Sequence, residues 1–107
     1  MRIEILYFPG CPNHEPASRR VRDLVARGGL AAGILEINVS DERTAEEVRF
    51  PGSPTIRING LDIEPAARGT QFSGLACRRY PGGLPSEETI RAAIEEARAA
   101  EGGADAQ

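Results

Sequence analysis

Two runs of strand-forming residues, RIEILYF at positions 2–8 and ILEINV at 34–39, flank a single helical repeat, and this arrangement constrains the chain more than any other feature. The first run is β-branched and aromatic with partial alternation, and Pro9-Gly10 ends it. Between the runs, Ala17, Val21, Leu24 and Val25 fall at i, i+4, i+7 and i+8, while Arg19, Arg20, Arg22 and Asp23 lie elsewhere on the wheel. That is an amphipathic helix, closed by Gly28-Gly29. Strands joined through a crossover helix lie parallel, because the helix returns the chain to the end of the sheet where it started.

The rest of the chain adds other signals. Residues 42–49 read as a short helix, with Thr44 and Glu47 in capping-box spacing. TIRIN, 55–59, is a third strand, and Asn59-Gly60 predicts a tight hairpin into LDIE, hence an antiparallel pair. Positions 65–73 read as loop, and LACRRY, 75–80, as a further possible strand. Ser86 is placed to cap a helix over 87–99, with Ile90, Ala93, Ile94 and Ala97 inward. The expectation is one α/β domain over residues 1–100, a mixed four-stranded sheet flanked by about three helices, with a frayed tail over 101–107. A chain of 107 residues suffices for one core and not for two ordinary ones. With aromatics at 5% and no Trp, that core must be built mainly from Ile, Leu, Val and Ala.

Charge narrows the function classes. A net charge of −3 argues against nucleic-acid binding, which usually needs a basic face. MRIEILYFPG has too few apolar residues before its Pro-Gly break for a secretory or membrane-spanning segment, so we expect a cytoplasmic protein without a membrane partner. In a reducing compartment, two cysteines point to redox or metal chemistry, or to simple burial.

Cys11 lies in YFPGCPNHEP, a strand-to-helix loop where sites are commonly built. As an N-cap, with Pro12 at the first helical position, it would meet free backbone N–H groups and the positive end of the helix dipole, and a protonated His14 would add charge nearby. Pro16 opposes that start, since it would fall at the fifth position; the helix would then begin at Pro16 and leave 11–15 a looser turn. The plain alternatives are a buried small residue for Cys11 and a solvated loop residue for His14. Cys77 reads as a second thiol, a soft-metal ligand shared with Cys11, or a core residue. Asp62 and Glu64 read as solvated hairpin carboxylates, while Arg78 and Arg79 face an anionic small thiol or water. Arg19, Arg20 and Arg22 read as the wet face of a helix.

This order of elements, with a Cys at the first strand-to-helix junction and GSPT ahead of the third strand, resembles the thioredoxin fold over residues 1 to 100. GCPN, GSPTIRING, GLACRRY and GGLPSEETIRAAI are similar to a group of small bacterial thioredoxin-like proteins, some labelled as related to alkylmercury lyase. The resemblance implies a three-layer domain with FPGCPNH as its active-site loop and Ser53-Pro54-Thr55 as a cis-proline loop. Pro12, Ser53, Pro54 and Thr55 would then contact substrate. The family motif has Cys at both ends, whereas here the second end is His14, which cannot resolve a mixed disulfide.

The implied activity is thiol–disulfide exchange. Cys11 would be the nucleophile, His14 and Cys77 further catalytic candidates, and Cys77 or an external thiol the resolving group. Its substrate would be a protein disulfide or a low-molecular-weight thiol, with no cofactor and no assigned metal ligand. Two other classes stay open: a mercury-binding or organomercurial-handling protein using Cys11 and Cys77, and a non-catalytic interaction module. Three structural expectations go with the preferred reading. Cys11 should be partly exposed, the first and third strands parallel with Pro54 against the Cys11 loop, and a Cys11–Cys77 bridge permitted by the topology.

Overall fold

The computed structural model describes residues 1–69 and 74–105. The elements are β1 (Arg2–Tyr7), α1 (His14–Arg27), β2 (Gly33–Asn38), α2 (Glu42–Glu47), β3 (Thr55–Ile58), β4 (Leu61–Asp62) and α3 (Glu87–Asp105), with a one-turn 3-10 helix over Pro65–Ala67. They form an α/β domain around a mixed sheet ordered β2-β1-β3-β4. β1 and β2 are parallel, Ile3 opposite Ile34 and Leu6 opposite Ile37, as a helical crossover requires. β3 and β4 are antiparallel around Asn59 and Gly60, whose φ values of 52° and 86° are the two positive angles of a tight hairpin turn.

The expected parallel pairing of the first and third strands is overturned. β3 runs antiparallel to β1, with Thr55 opposite Leu6 and Ile58 opposite Ile3. The cause lies in the connection from β2. Along the link from β2 to β3 the chain stays at one end of the sheet, where Ala45 of α2 and Phe50 pack with Leu6 and Val39 beside the C-terminal ends of β1 and β2. The chain therefore enters β3 at the end where β2 leaves the sheet. That direction sets Ser53 and Pro54 beside the C-terminal end of β1, where the Cys11 loop begins.

Alternation along β1 divides two cores. Ile3 and Ile5 join Ile56 and Ile58 of β3 beneath Ala17, Val21 and Leu24 of α1 and Ile90, Ala93, Ile94 and Ala97 of α3. Leu6 faces the other way and packs with Val39, Ala45 and Phe50 on the α2 side. The helix faces match the sequence periodicity, and an Ile or Phe fully buried in this way contributes roughly 1.5–3 kcal/mol.

Several boundaries differ from expectation. α1 starts at neither Pro12 nor Pro16 but at His14, after the N-cap Asn13. Pro16 is then the third helical residue, whose N–H has no intrahelical partner in any case, so proline costs nothing there. α2 is capped by Asp41, whose carboxylate accepts from the Thr44 N–H at 2.7 Å, so Thr44 is the third residue of the helix and not its cap. That bond holds the Asp41 carboxyl below the usual carboxylate range. Ser86 caps α3 as expected, accepting from Thr89 N at 3.0 Å. The helix continues to Asp105, so 101–105 are helical where a tail is expected; residues 106–107, like 70–73 of the expected loop, lie outside the described residues. LACRRY is not a regular strand: its backbone makes one isolated parallel bridge, Cys77 to Ser53, just ahead of β3. Among the described residues no helix is long and apolar enough to cross a membrane.

Candidate functional site

The Cys11 loop leaves β1 and turns twice before α1. Cys11 N–H donates to Phe8 O at 3.3 Å, and His14 N–H donates to Cys11 O at 3.3 Å. Gly10, at φ 86°, supplies the left-handed step inside the first turn. The first of these bonds draws Cys11 back against the end of the sheet, leaving the residue only 8% exposed. It is therefore buried, contrary to the expected partly exposed thiol. It also stands two positions ahead of the N-cap, and the first-turn N–H of His14 bonds its main-chain oxygen and not its thiol. Pro12, beside it, is exposed.

His14 is committed elsewhere. Its ring stacks on Tyr7 with centroids 3.7 Å apart and planes within 4°. Its Nε2 lies 2.5 Å from Glu36 Oε1, on β2. Glu36 also accepts from Arg22 Nη2 at 2.7 Å and Ser18 Oγ at 3.3 Å, so Arg22, expected to be only solvated, is half of an ion pair. Partial burial pushes the Glu36 carboxyl up, but hydrogen bonds from Arg22 and His14, with their charges, outweigh it and hold the group below the usual range. Among the described residues no hydrogen bond joins the His14 ring to the Cys11 thiol.

The Ser53–Pro54 peptide bond is cis. Ser53 Oγ accepts from Phe8 N–H at 3.3 Å, which ties this loop to the root of the Cys11 loop. Thr55 Oγ1 donates to Gly52 O at 2.6 Å. Ser53, Pro54 and Thr55 are all fully buried, so their side chains offer no open surface to a substrate. Their main chain is occupied too. Ser53 N–H donates to Ala76 O at 2.9 Å, Ser53 O accepts from Arg78 N–H at 2.8 Å, and Pro54 O accepts from the Tyr80 hydroxyl at 2.7 Å.

In the segment that occupies them, residues 75–80, the last four positions alternate. Cys77 and Arg79 are exposed, whereas Arg78 and Tyr80 are buried. Arg78 forks onto Asp62, Nη1 to Oδ2 at 2.7 Å and Nη2 to Oδ1 at 2.9 Å, and reaches Glu64 Oε1 at 2.7 Å and Thr55 Oγ1 at 3.1 Å. Its guanidinium carbon lies 4.7 Å from the Tyr80 ring centroid, in cation–π range. Burial would push this guanidinium down, but the hydrogen bonds and charges of its acidic partners win and hold it above the ordinary arginine value. Burial pushes the Tyr80 phenol up, which keeps it a hydrogen-bond donor. Gly52 completes the fit: at φ 129° it is left-handed, and a Cβ there would stand 3.0 Å from Arg78 Cβ and 3.1 Å from Ala76 O.

This network corrects the expectation that Asp62 and Arg78 face water, since they are 6% and 8% exposed. Sequence reasoning also passed over Tyr80 and Gly52. The weak signal was present in the alternation of CRRY and in the glycine immediately ahead of SPT.

Three segments thus meet at one end of the sheet. The Cys11 turn is bonded to Phe8, Phe8 to Ser53, and Ser53 to the backbone around Cys77. Both cysteines are free thiols. Among the described residues no group of three or more His, Cys, Asp or Glu side chains is arranged to hold a metal, so a soft ion would have at most these two thiolate donors. No family model, curated protein or solved structure matches the chain.

Proposed function

We propose that the protein is a thioredoxin-like thiol–disulfide oxidoreductase in which Cys11 attacks a disulfide and Cys77, or an external thiol, resolves the product. One observation carries this reading: Ser53 bonds the root of the Cys11 loop through its hydroxyl and the Cys77 segment through its main chain, so two free thiols, distant in sequence, sit on segments joined by a single residue. Exchange needs only a thiolate, access to one sulfur and a second thiol to release the mixed disulfide. On this reading Pro12 flanks the approach, and His14 acts through the loop it anchors to Glu36 instead of by touching the thiol.

The experiment is single-turnover exchange with the pre-reduced protein. Cys11→Ser should slow consumption of a disulfide by at least about a hundredfold, the scale on which loss of a nucleophile is felt. Cys77→Ser should leave a mixed disulfide on Cys11, seen as a mass adduct. An adduct that forms only on Cys77, or an unchanged rate in Cys11→Ser, overturns the assignment.

A further inference from the structure

We infer that the substrate of this site is a low-molecular-weight disulfide and not an extended polypeptide, because residues 76–78 already occupy the main-chain position at Ser53 that a polypeptide would take. The inference rests on the thiol–disulfide reading and adds its substrate class.

The argument begins at the sheet edge. β4 pairs with Arg57 and Ile58, and Ile63 N–H donates to Ile56 O at 3.1 Å, so the edge of β3 is covered as far as Ile56 and the backbone ahead of the strand, at Ser53, is left to another partner. An exposed strand end offers N–H and C=O groups to any extended chain that approaches, and polypeptides are recognised in this way by strand addition. Here both groups of Ser53 are saturated from within, by Ala76 O and Arg78 N–H, in a parallel bridge centred on Cys77. The bridge puts the Cys77 backbone about 5 Å from that of Ser53.

The occupant is built in. Arg78 anchors it beneath two carboxylates, Tyr80 closes over Pro54 O, and Gly52 has the shape that lets it approach. An incoming peptide would have to break two main-chain hydrogen bonds merely to equal them. Cys11, at 8% exposure, likewise admits only a slender partner. Cys77, in contrast, is exposed on the surface of the occupying segment.

The chemistry balances without a further reductant in a single turnover. The Cys11 thiolate attacks one sulfur of RS–SR; that S–S bond breaks, and RS⁻ leaves and takes up a proton. The Cys77 thiolate then attacks the mixed disulfide, a Cys11–Cys77 bond forms, and the second RSH departs. The protein dithiol is oxidised by two electrons and the small disulfide is reduced.

The test compares oxidised glutathione with insulin as oxidants of the pre-reduced full-length chain, at equal disulfide concentration. Two main-chain hydrogen bonds unavailable to a polypeptide correspond to a preference of about thirtyfold for the small disulfide. Tyr80→Phe and Gly52→Ala loosen the occupying segment without removing a thiol, and each should narrow that ratio. Arg78→Met should narrow it most if it folds. Hydrogen exchange at the Ser53 and Arg78 amides reports the loosening directly. Insulin reduced by the wild-type chain within about threefold of glutathione overturns the inference while leaving thiol–disulfide exchange intact. So does a ratio unchanged in variants whose two amides have lost protection. Failure of the wild-type chain to react with either oxidant overturns the exchange reading, and this inference with it.

Discussion

The two cysteines sit on connections held in opposite ways. The Cys11 turn is fixed by main-chain bonds of 3.3 Å and one serine hydroxyl, yet the residue is buried. The Cys77 segment is clamped by a buried guanidinium, two carboxylates and a phenol, yet its thiol is exposed. Exposure of a side chain and anchorage of its backbone are thus set independently: in 77–80, alternation buries Arg78 and Tyr80 as anchors and leaves Cys77 and Arg79 exposed. For an exchange reaction this division is useful, because a resolving thiol must be reachable and must also stand where the first sulfur can find it.

The sharpest way to break the comparison is Arg78→Met. The change strands the Asp62 carboxylate, 6% exposed, without its bidentate partner, and removing one member of a buried pair costs about 3–5 kcal/mol. Urea unfolding followed by circular dichroism measures it. A loss below about 1 kcal/mol would mean the clamp is ornamental and the two connections are equally weak. Gly52→Ala comes next, at about 1–3 kcal/mol, since the new Cβ meets Arg78 Cβ at 3.0 Å from a left-handed backbone that alanine disfavours. Ser53→Ala, by contrast, removes a 3.3 Å bond from the Cys11 side and should cost less than either.

Much of the fold was legible because its signals are local. The inward faces of α1 and α3 follow from i, i+4 spacing, and the hairpin follows from Asn59-Gly60, two residues that accept positive φ. What escaped was non-local or degenerate. Asp62 is buried while its neighbour Leu61 is 48% exposed, the reverse of what hydrophobicity alone would assign, and the charge that pairs with it comes from Arg78, far along the chain. The direction of β3 depends on where the β2–β3 link packs, with Ala45 and Phe50 against Leu6 and Val39, which no residue of β3 encodes. The start of α1 was ambiguous because proline is tolerated throughout a first turn, so Pro12 and Pro16 do not discriminate between registers. At the site, the positions of Cys11 and Cys77 were singled out for their chemistry, whereas the Tyr80 and Gly52 partners became visible only once 75–80 lay against Ser53.

A smaller effect separates the two sides of the clamp. Tyr80→Phe removes one hydrogen bond, to Pro54 O, and keeps the ring under the Arg78 guanidinium, so about 1 kcal/mol should be lost in urea unfolding. Tyr80→Leu removes the ring face as well and should cost more. Equal losses in the two variants would assign the anchoring to the hydroxyl alone.

The smallest effect tests the Cys11 side, whose nearest ionic tether is Glu36. Its carboxyl, 31% exposed, accepts from His14, which follows the loop directly, and from Arg22. Because its folded-state pKa is depressed from an ordinary value of 4.5, the unfolded chain binds the proton more readily. Stability from this group is therefore present in full above 4.5 and is lost as the pH falls through the lower folded value. Glu36→Gln should accordingly be less stable than the parent at pH 6, by a fraction of about 1 kcal/mol given the partial exposure, and the gap should close towards pH 3. Paired urea titrations at the two pH values measure it. A gap that stays constant would show that Glu36 holds the loop by shape rather than by charge, and one larger than the cost of Arg78→Met would invert the comparison by making the Cys11 turn the better anchored of the two.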